Sequence, residues 1–156
     1  MFRSSTQHLF VFASCLLAVS IAGCSSFGSD WKKAATQPLT GQDLLGRWQG
    51  KWVSEVNGHD GDLRCIVTPM EYGRYRAQYH ASFWNVLTFE QVVPLTVGDE
   101  REGRLYFTGE ADLGWLCGGV YQYEGHLDKT RFYSTYRSKN DHGYYEMIRV
   151  REDHSP

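Results

Sequence analysis

Proline is scarce, at 4 of 156 residues, and neither charge is in excess, with 16 Lys and Arg against 18 Asp and Glu. That faintly acidic balance argues against a phosphate-binding surface, and so against nucleic acid as a partner. Past residue 24 no apolar run approaches the roughly 20 residues that a membrane-spanning helix needs. The chain has no G-x-S-x-G frame for an activated serine, and Gly118-Gly119 lacks the Lys and Ser/Thr of a phosphate loop. His59, His80 and His142 could meet near one end with Cys117 close by, yet none of them has metal-ligand spacing. Asn57-Gly58-His59-Asp60-Gly61-Asp62 lacks the alternating acids and final Glu of a calcium loop and reads as a hairpin turn. Glu90, Glu110 and Asp112 fix no carboxylate separation. The expectation is a non-catalytic protein without metal or cofactor.

What is present is glycine (16) and aromatic residues: 10 Tyr, 8 Phe and 5 Trp. This mixture suits twisted strands joined by tight turns, and the length suits one domain. The first residues follow a different pattern. Arg3 precedes an apolar stretch over 9–21, which is too short to span a bilayer and has the length of a signal-peptide core. Its ending, Ile21-Ala22-Gly23-Cys24, resembles the lipobox of bacterial lipoproteins. The resemblance implies that residues 1–23 are removed and that Cys24 carries the acyl (palmitate-type) anchor. Ser25, where an aspartate would favour inner-membrane retention, implies the outer membrane, facing periplasm or surface. Residues 24–44 then read as a flexible lipidated tether with little helical spacing. Within it Gln42-Asp43-Leu44-Leu45 could form one turn that plugs the domain. Residues 45–152 form the folded domain and 153–156 a tail.

From Gly46 the pattern has period two. Eight strands are expected, over 46–55, 62–69, 74–83, 86–97, 104–111, 118–127, 130–138 and 142–151. The third places Tyr75, Ala77, Tyr79, Ala81 and Phe83 on one face, and the fourth Leu87, Phe89, Gln91, Val93 and Leu95. Arg74 and Arg76 fall on the opposite, exterior face. Pro94 also points away from the apolar face and weakens pairing locally. Short links favour an all-β antiparallel meander. Closing it into one eight-stranded barrel buries the apolar faces and removes both edges, whereas a two-sheet sandwich usually needs a long crossover.

Gly46-Arg47-Trp48 on the first strand and Arg149 near the end of the last resemble the calycin superfamily, the lipocalins and avidin-like barrels. The resemblance implies that Trp48 packs beneath Arg149 and seals one end. A T-D-Y-like second lipocalin motif and an avidin-type set of biotin contacts are missing. The chain also looks like small envelope proteins of unassigned function with G-x-W-x-G-x-W, N-G-H-x-G and a terminal G-x-Y/F-x-L/M-x-R, here at 46–52, 57–61 and 143–149.

Counting strand direction puts the tether at the closed end, nearest the membrane, and a mouth at the other. Trp84 and Trp115 at the mouth, with Tyr79, Phe83 and Tyr121 behind them, could admit a small apolar ligand. The same rings could equally plug an eight-stranded barrel, which is only just wide enough for its own side chains. The competing function is a structural or protein-interaction module of the envelope. Cys15 leaves with the signal, so Cys65 and Cys117 remain as either a disulfide or two buried thiols.

Overall fold

The computed structural model describes residues 26–36, 44–84 and 87–151. The signal segment, Cys24, the pair Gln42-Asp43 and the tail 153–156 lie outside the described residues. Eight strands follow in order: β1 (Gly46–Ser54), β2 (Asp60–Pro69), β3 (Arg74–Phe83), β4 (Leu87–Arg101), β5 (Arg104–Asp112), β6 (Val120–Leu127), β7 (Arg131–Arg137) and β8 (His142–Arg149). Each pairs antiparallel with its sequence neighbour, and β8 returns to β1, so the sheet is one closed meander barrel. Period-two patterning therefore yields the expected architecture.

The inward faces agree residue by residue with the alternation. Ala77, Tyr79 and Ala81 of β3 and Gln91, Val93 and Leu95 of β4 are buried, while Arg74 is exposed. β4 runs further than expected, to Arg101. Its register shifts between Val97 and Glu100, and the hairpin then closes through Glu102 and Gly103, both at positive φ. That two-residue turn has the twist that suits adjoining strands. At the other end of the same pair the ladder stops at Leu95↔Gly109, so residues 87–94 of β4 pair with β3 alone. Pro94, which has no N–H to donate, sits at that parting.

The barrel closes where the glycine-tryptophan motif predicted. Trp48 is fully buried, and the Arg149 guanidinium lies 4.2 Å from the centre of its ring. Arg149 donates from Nη1 to the Leu45 carbonyl (2.7 Å) and from Nε to the Lys129 carbonyl (2.9 Å). Trp48 Nε1 donates to the Leu44 carbonyl at 3.1 Å. Leu44 itself is buried in the core, so the chain just before β1 does plug this end. The Asp128 carboxylate accepts from Thr130 N, Thr130 Oγ1 and Arg131 N, fixing the turn that carries Lys129. Those backbone donors hold its carboxyl below the usual carboxylate range.

The three short motifs fall on one seam, β8–β1–β2. Gly46, Trp48, Gly50 and Trp52 are the inward face of β1. A side chain at Gly61 would strike the Ser82 carbonyl and Trp52 Nε1, and Trp52 Nε1 donates to that carbonyl at 2.9 Å. The glycine thus leaves room for the bond that ties β1 to the end of β3.

Two expectations are corrected. Residues 24–44 were read as flexible and without helical spacing, yet Phe27–Ala35 forms a helix, α1, docked on the outside of the barrel. Phe27 and Trp31 lie one turn apart and stack at 5.7 Å. Phe27 is buried against His80, and Trp31 receives the guanidinium groups of Arg47 and Arg64. Nine residues do not hold a helix in water alone; this docking stabilises it. Second, Cys65 is a free thiol buried inside the barrel, so the Cys65–Cys117 bridge is not formed. Cys65 is an inward residue in the middle of β2, whereas Cys117 belongs to a turn between β5 and β6 at the mouth.

Trp48→Ala should lower unfolding free energy by about 3–5 kcal/mol, the usual cost of emptying a buried aromatic site. A urea titration measures it, and a loss below about 1 kcal/mol would contradict the sealing role.

Candidate functional site

Three regions can be assessed as sites: the barrel interior, its mouth and the outer wall. The interior is packed in layers. Trp48, Phe107 and Phe132 fill the closed end, with ring centres 5.0 and 5.5 Å apart. Above them Tyr79, Tyr123 and Tyr145 meet at 5.2–6.3 Å. Gln91 links two of these rings, donating to Tyr145 Oη at 2.9 Å and accepting from Tyr123 Oη at 3.1 Å. Toward the mouth Trp52 packs on Phe83 and Phe89, while Tyr136 packs on Tyr121 and Tyr145. Asp141 anchors this layer, accepting from Ser54 Oγ at 2.6 Å and lying 3.3 Å from Tyr136 Oη.

One interior polar atom stands out. Tyr79 Oη is fully buried with no hydrogen-bond partner among the described residues. Leaving a hydroxyl so placed costs about 1–3 kcal/mol. Burial raises the Tyr79, Tyr123, Tyr136 and Tyr145 hydroxyls well above the usual tyrosine range.

The mouth residues divide. Tyr79 belongs to the core, and Phe83 and Tyr121 are half-buried beneath the rim. Trp84 and Trp115 project outward, 71% and 85% exposed. Trp84 stacks on Phe83 at 4.5 Å and meets His59 edge-on at 6.1 Å. The histidines do not gather. His80 lies on the outer wall under Phe27, 4.0 Å from Glu90, and His142 lies 4.0 Å from Glu55. Among the described residues no three His, Cys, Asp or Glu side chains converge to hold a metal ion.

On the outer wall a recess of about 440 Å³ crosses β4 to β7. Its rows follow the ladders: Tyr106, His126 and Tyr133 form one bank, and Thr108, Glu124 and Thr135 the other. Sequence reading missed this recess because its residues occupy the ordinary solvent positions of four separate strands. Elsewhere the outward positions carry Arg47, Lys51, Arg64, Arg76, Glu90, Arg137 and Glu146. Most outward positions are polar and most inward ones apolar, with Val92, Tyr106 and Ile148 as exposed exceptions.

The connectivity and the sealed end give a calycin-like topology. Compared with known proteins, the chain matches no family, no curated protein and no solved structure.

Two measurements follow from the interior. Tyr79→Phe should leave stability unchanged or raise it, whereas Tyr145→Phe, which strips Gln91 Nε2 of its acceptor, should cost about 1–3 kcal/mol in the same urea assay. Because burial keeps Tyr79, Tyr123, Tyr136 and Tyr145 protonated in the folded barrel, their contribution is complete below the unfolded value near pH ~10 and is lost as pH rises beyond it. Absorbance at the tyrosinate band, scanned from neutral to strongly alkaline pH, should include a step from these four buried rings that coincides with loss of near-ultraviolet dichroism.

Proposed function

We propose that this chain is a lipid-anchored protein of the bacterial outer membrane, acylated at Cys24, with a filled calycin-like barrel that serves as a rigid, non-catalytic interaction module. The observation that carries the reading is the packing of the interior. Side chains from Trp48 through Tyr123 to Tyr136 occupy the barrel in successive layers, while the recess of about 440 Å³ lies on the outer wall. A barrel filled this way supplies a stiff surface rather than a chamber. Its partner is another envelope component, met along the Tyr106, His126 and Tyr133 bank and the hydroxyls of Thr108 and Thr135 opposite it.

One observation favours a second reading, carriage of a small apolar ligand at the mouth. Trp84 and Trp115 stand exposed around an opening floored by half-buried rings. Carriage requires Phe83 and Tyr121 to part, since both pack onto the layer beneath.

Native mass spectrometry of the full-length product extracted from membranes separates the two. The interaction-module reading expects the acylated mass alone. A small apolar adduct that departs on denaturation would overturn it in favour of carriage. Cys24→Ser should move the protein from the membrane fraction to the soluble one, and retention in the membrane would remove the anchor from the proposal.

A further inference from the structure

The exposed large apolar side chains are unevenly placed. Of the four connections at the mouth, three present one to solvent: Val56 between β1 and β2, Trp84 between β3 and β4, and Trp115 with Leu116 between β5 and β6. Val120, at the start of β6, adds to the third. Exposures run from 42% for Leu116 to 85% for Trp115. At the closed end one connection of three presents such groups, with Met70 and Tyr72 between β2 and β3, and the other two are charged, with Asp99, Glu100, Arg101 and Glu102 in one and Asp128 and Lys129 in the other. Three loops around one rim, each tipped with an apolar group, form a tripod suited to a broad flat surface rather than to a pocketed partner. Trp is the side chain best matched to a surface that is apolar on one side and wet on the other.

The docking of α1 indicates which surface that is. Phe27, its first residue, stacks on His80 of β3. His80 lies three residues from the mouth end of that strand, at Phe83, and six from its closed end, at Arg74. Cys24 precedes Phe27 by three residues, a reach of about 10 Å. That reach matches the remaining length of β3 toward the mouth, about 10 Å, and falls short of the roughly 20 Å to the closed end. The helix therefore reverses the orientation that a flexible tether entering at β1 would give.

We infer that the mouth rim, through Val56, Trp84, Trp115 and Leu116, lies against the same bilayer that holds the Cys24 acyl chains. The inference rests on the anchor reading above. A second weak membrane contact beside the lipid fixes the barrel's tilt, closes the mouth against the interface and turns the outer-wall recess sideways, toward other envelope components. The rim carries Glu55, Asp60, Asp112 and Asp141 against Arg137 and Lys139, so contact comes from aromatic insertion rather than from attraction to anionic headgroups.

The test uses the acylated full-length protein, reconstituted in phosphatidylethanolamine–phosphatidylglycerol vesicles with and without brominated acyl chains, which quench nearby indoles. The intact mass is measured on the same sample. The expected result is an acylated protein whose tryptophan emission is quenched, with the quenched fraction falling by roughly half or more in Trp84→Asn/Trp115→Asn. Tyr72→Ser at the closed end should leave quenching unchanged, and unaltered melting of each variant shows that the barrel is intact. Acylation without quenching overturns rim docking and leaves the anchor standing. An unacylated mass overturns the anchor and the docking built on it. A dimer in solution that Trp115→Asn dissolves would assign the rim to a second copy of the chain and overturn the bilayer as occupant.

Discussion

The stacking of Arg149 on Trp48 is the interaction from which the rest of the barrel takes its form. An eight-stranded sheet closes only if the first and last strands find one register, and this pair lies in that register, Trp48 opposite Arg149 on β1 and β8. The guanidinium covers the indole face while its donors engage carbonyls from two chain segments, one before β1 and one between β6 and β7. Arginine alone combines a stacking plane with several fixed donors, so lysine would not serve the same purpose. With this corner set, Gly50 allows the β8 backbone to approach β1, and Gly61 allows Trp52 to reach Ser82. The aromatic layers then stack upward from the sealed end.

Much of this was legible because strands announce themselves locally. Alternation assigned Tyr79 and Gln91 to the interior and Arg74 to the exterior before any pairing was known. The closing pair was legible through its resemblance to calycins rather than through periodicity, since two residues a hundred positions apart leave no local trace. The helix α1 was missed for a physical reason. Only Phe27 and Trp31 mark its buried face, and what they pack against is supplied by Arg47, Arg64 and His80 from three different strands. The cysteine pairing failed similarly, because spacing in sequence carries no information on which side of a closed wall a thiol lies.

The candidate site was less legible than the fold. Sequence reading identified Trp84 and Trp115 at the mouth and left open whether Tyr79, Phe83 and Tyr121 line a pocket or fill a core. Three-dimensional packing bears on that question through a polar link no pattern reveals: Gln91 bonded to both Tyr123 and Tyr145 across the barrel axis. A polar residue at an inward position would ordinarily suggest a ligand contact; here it braces two rings. The recess on β4 to β7 depends on four strands lying side by side, and no segment of chain contains it.

Cys65 adds a constraint of timing. Its thiol is enclosed only when β8 returns to β1, and β8 is the last strand to be made. Closing a ring between strands so distant in sequence is slow compared with forming hairpins. During that interval the thiol is open to any oxidant or neighbouring thiol, whereas afterwards burial holds it protonated and inert. Chains that delay in closing are therefore the ones exposed to covalent capture, and the folded population keeps its sulfur reduced by geometry rather than by chemistry.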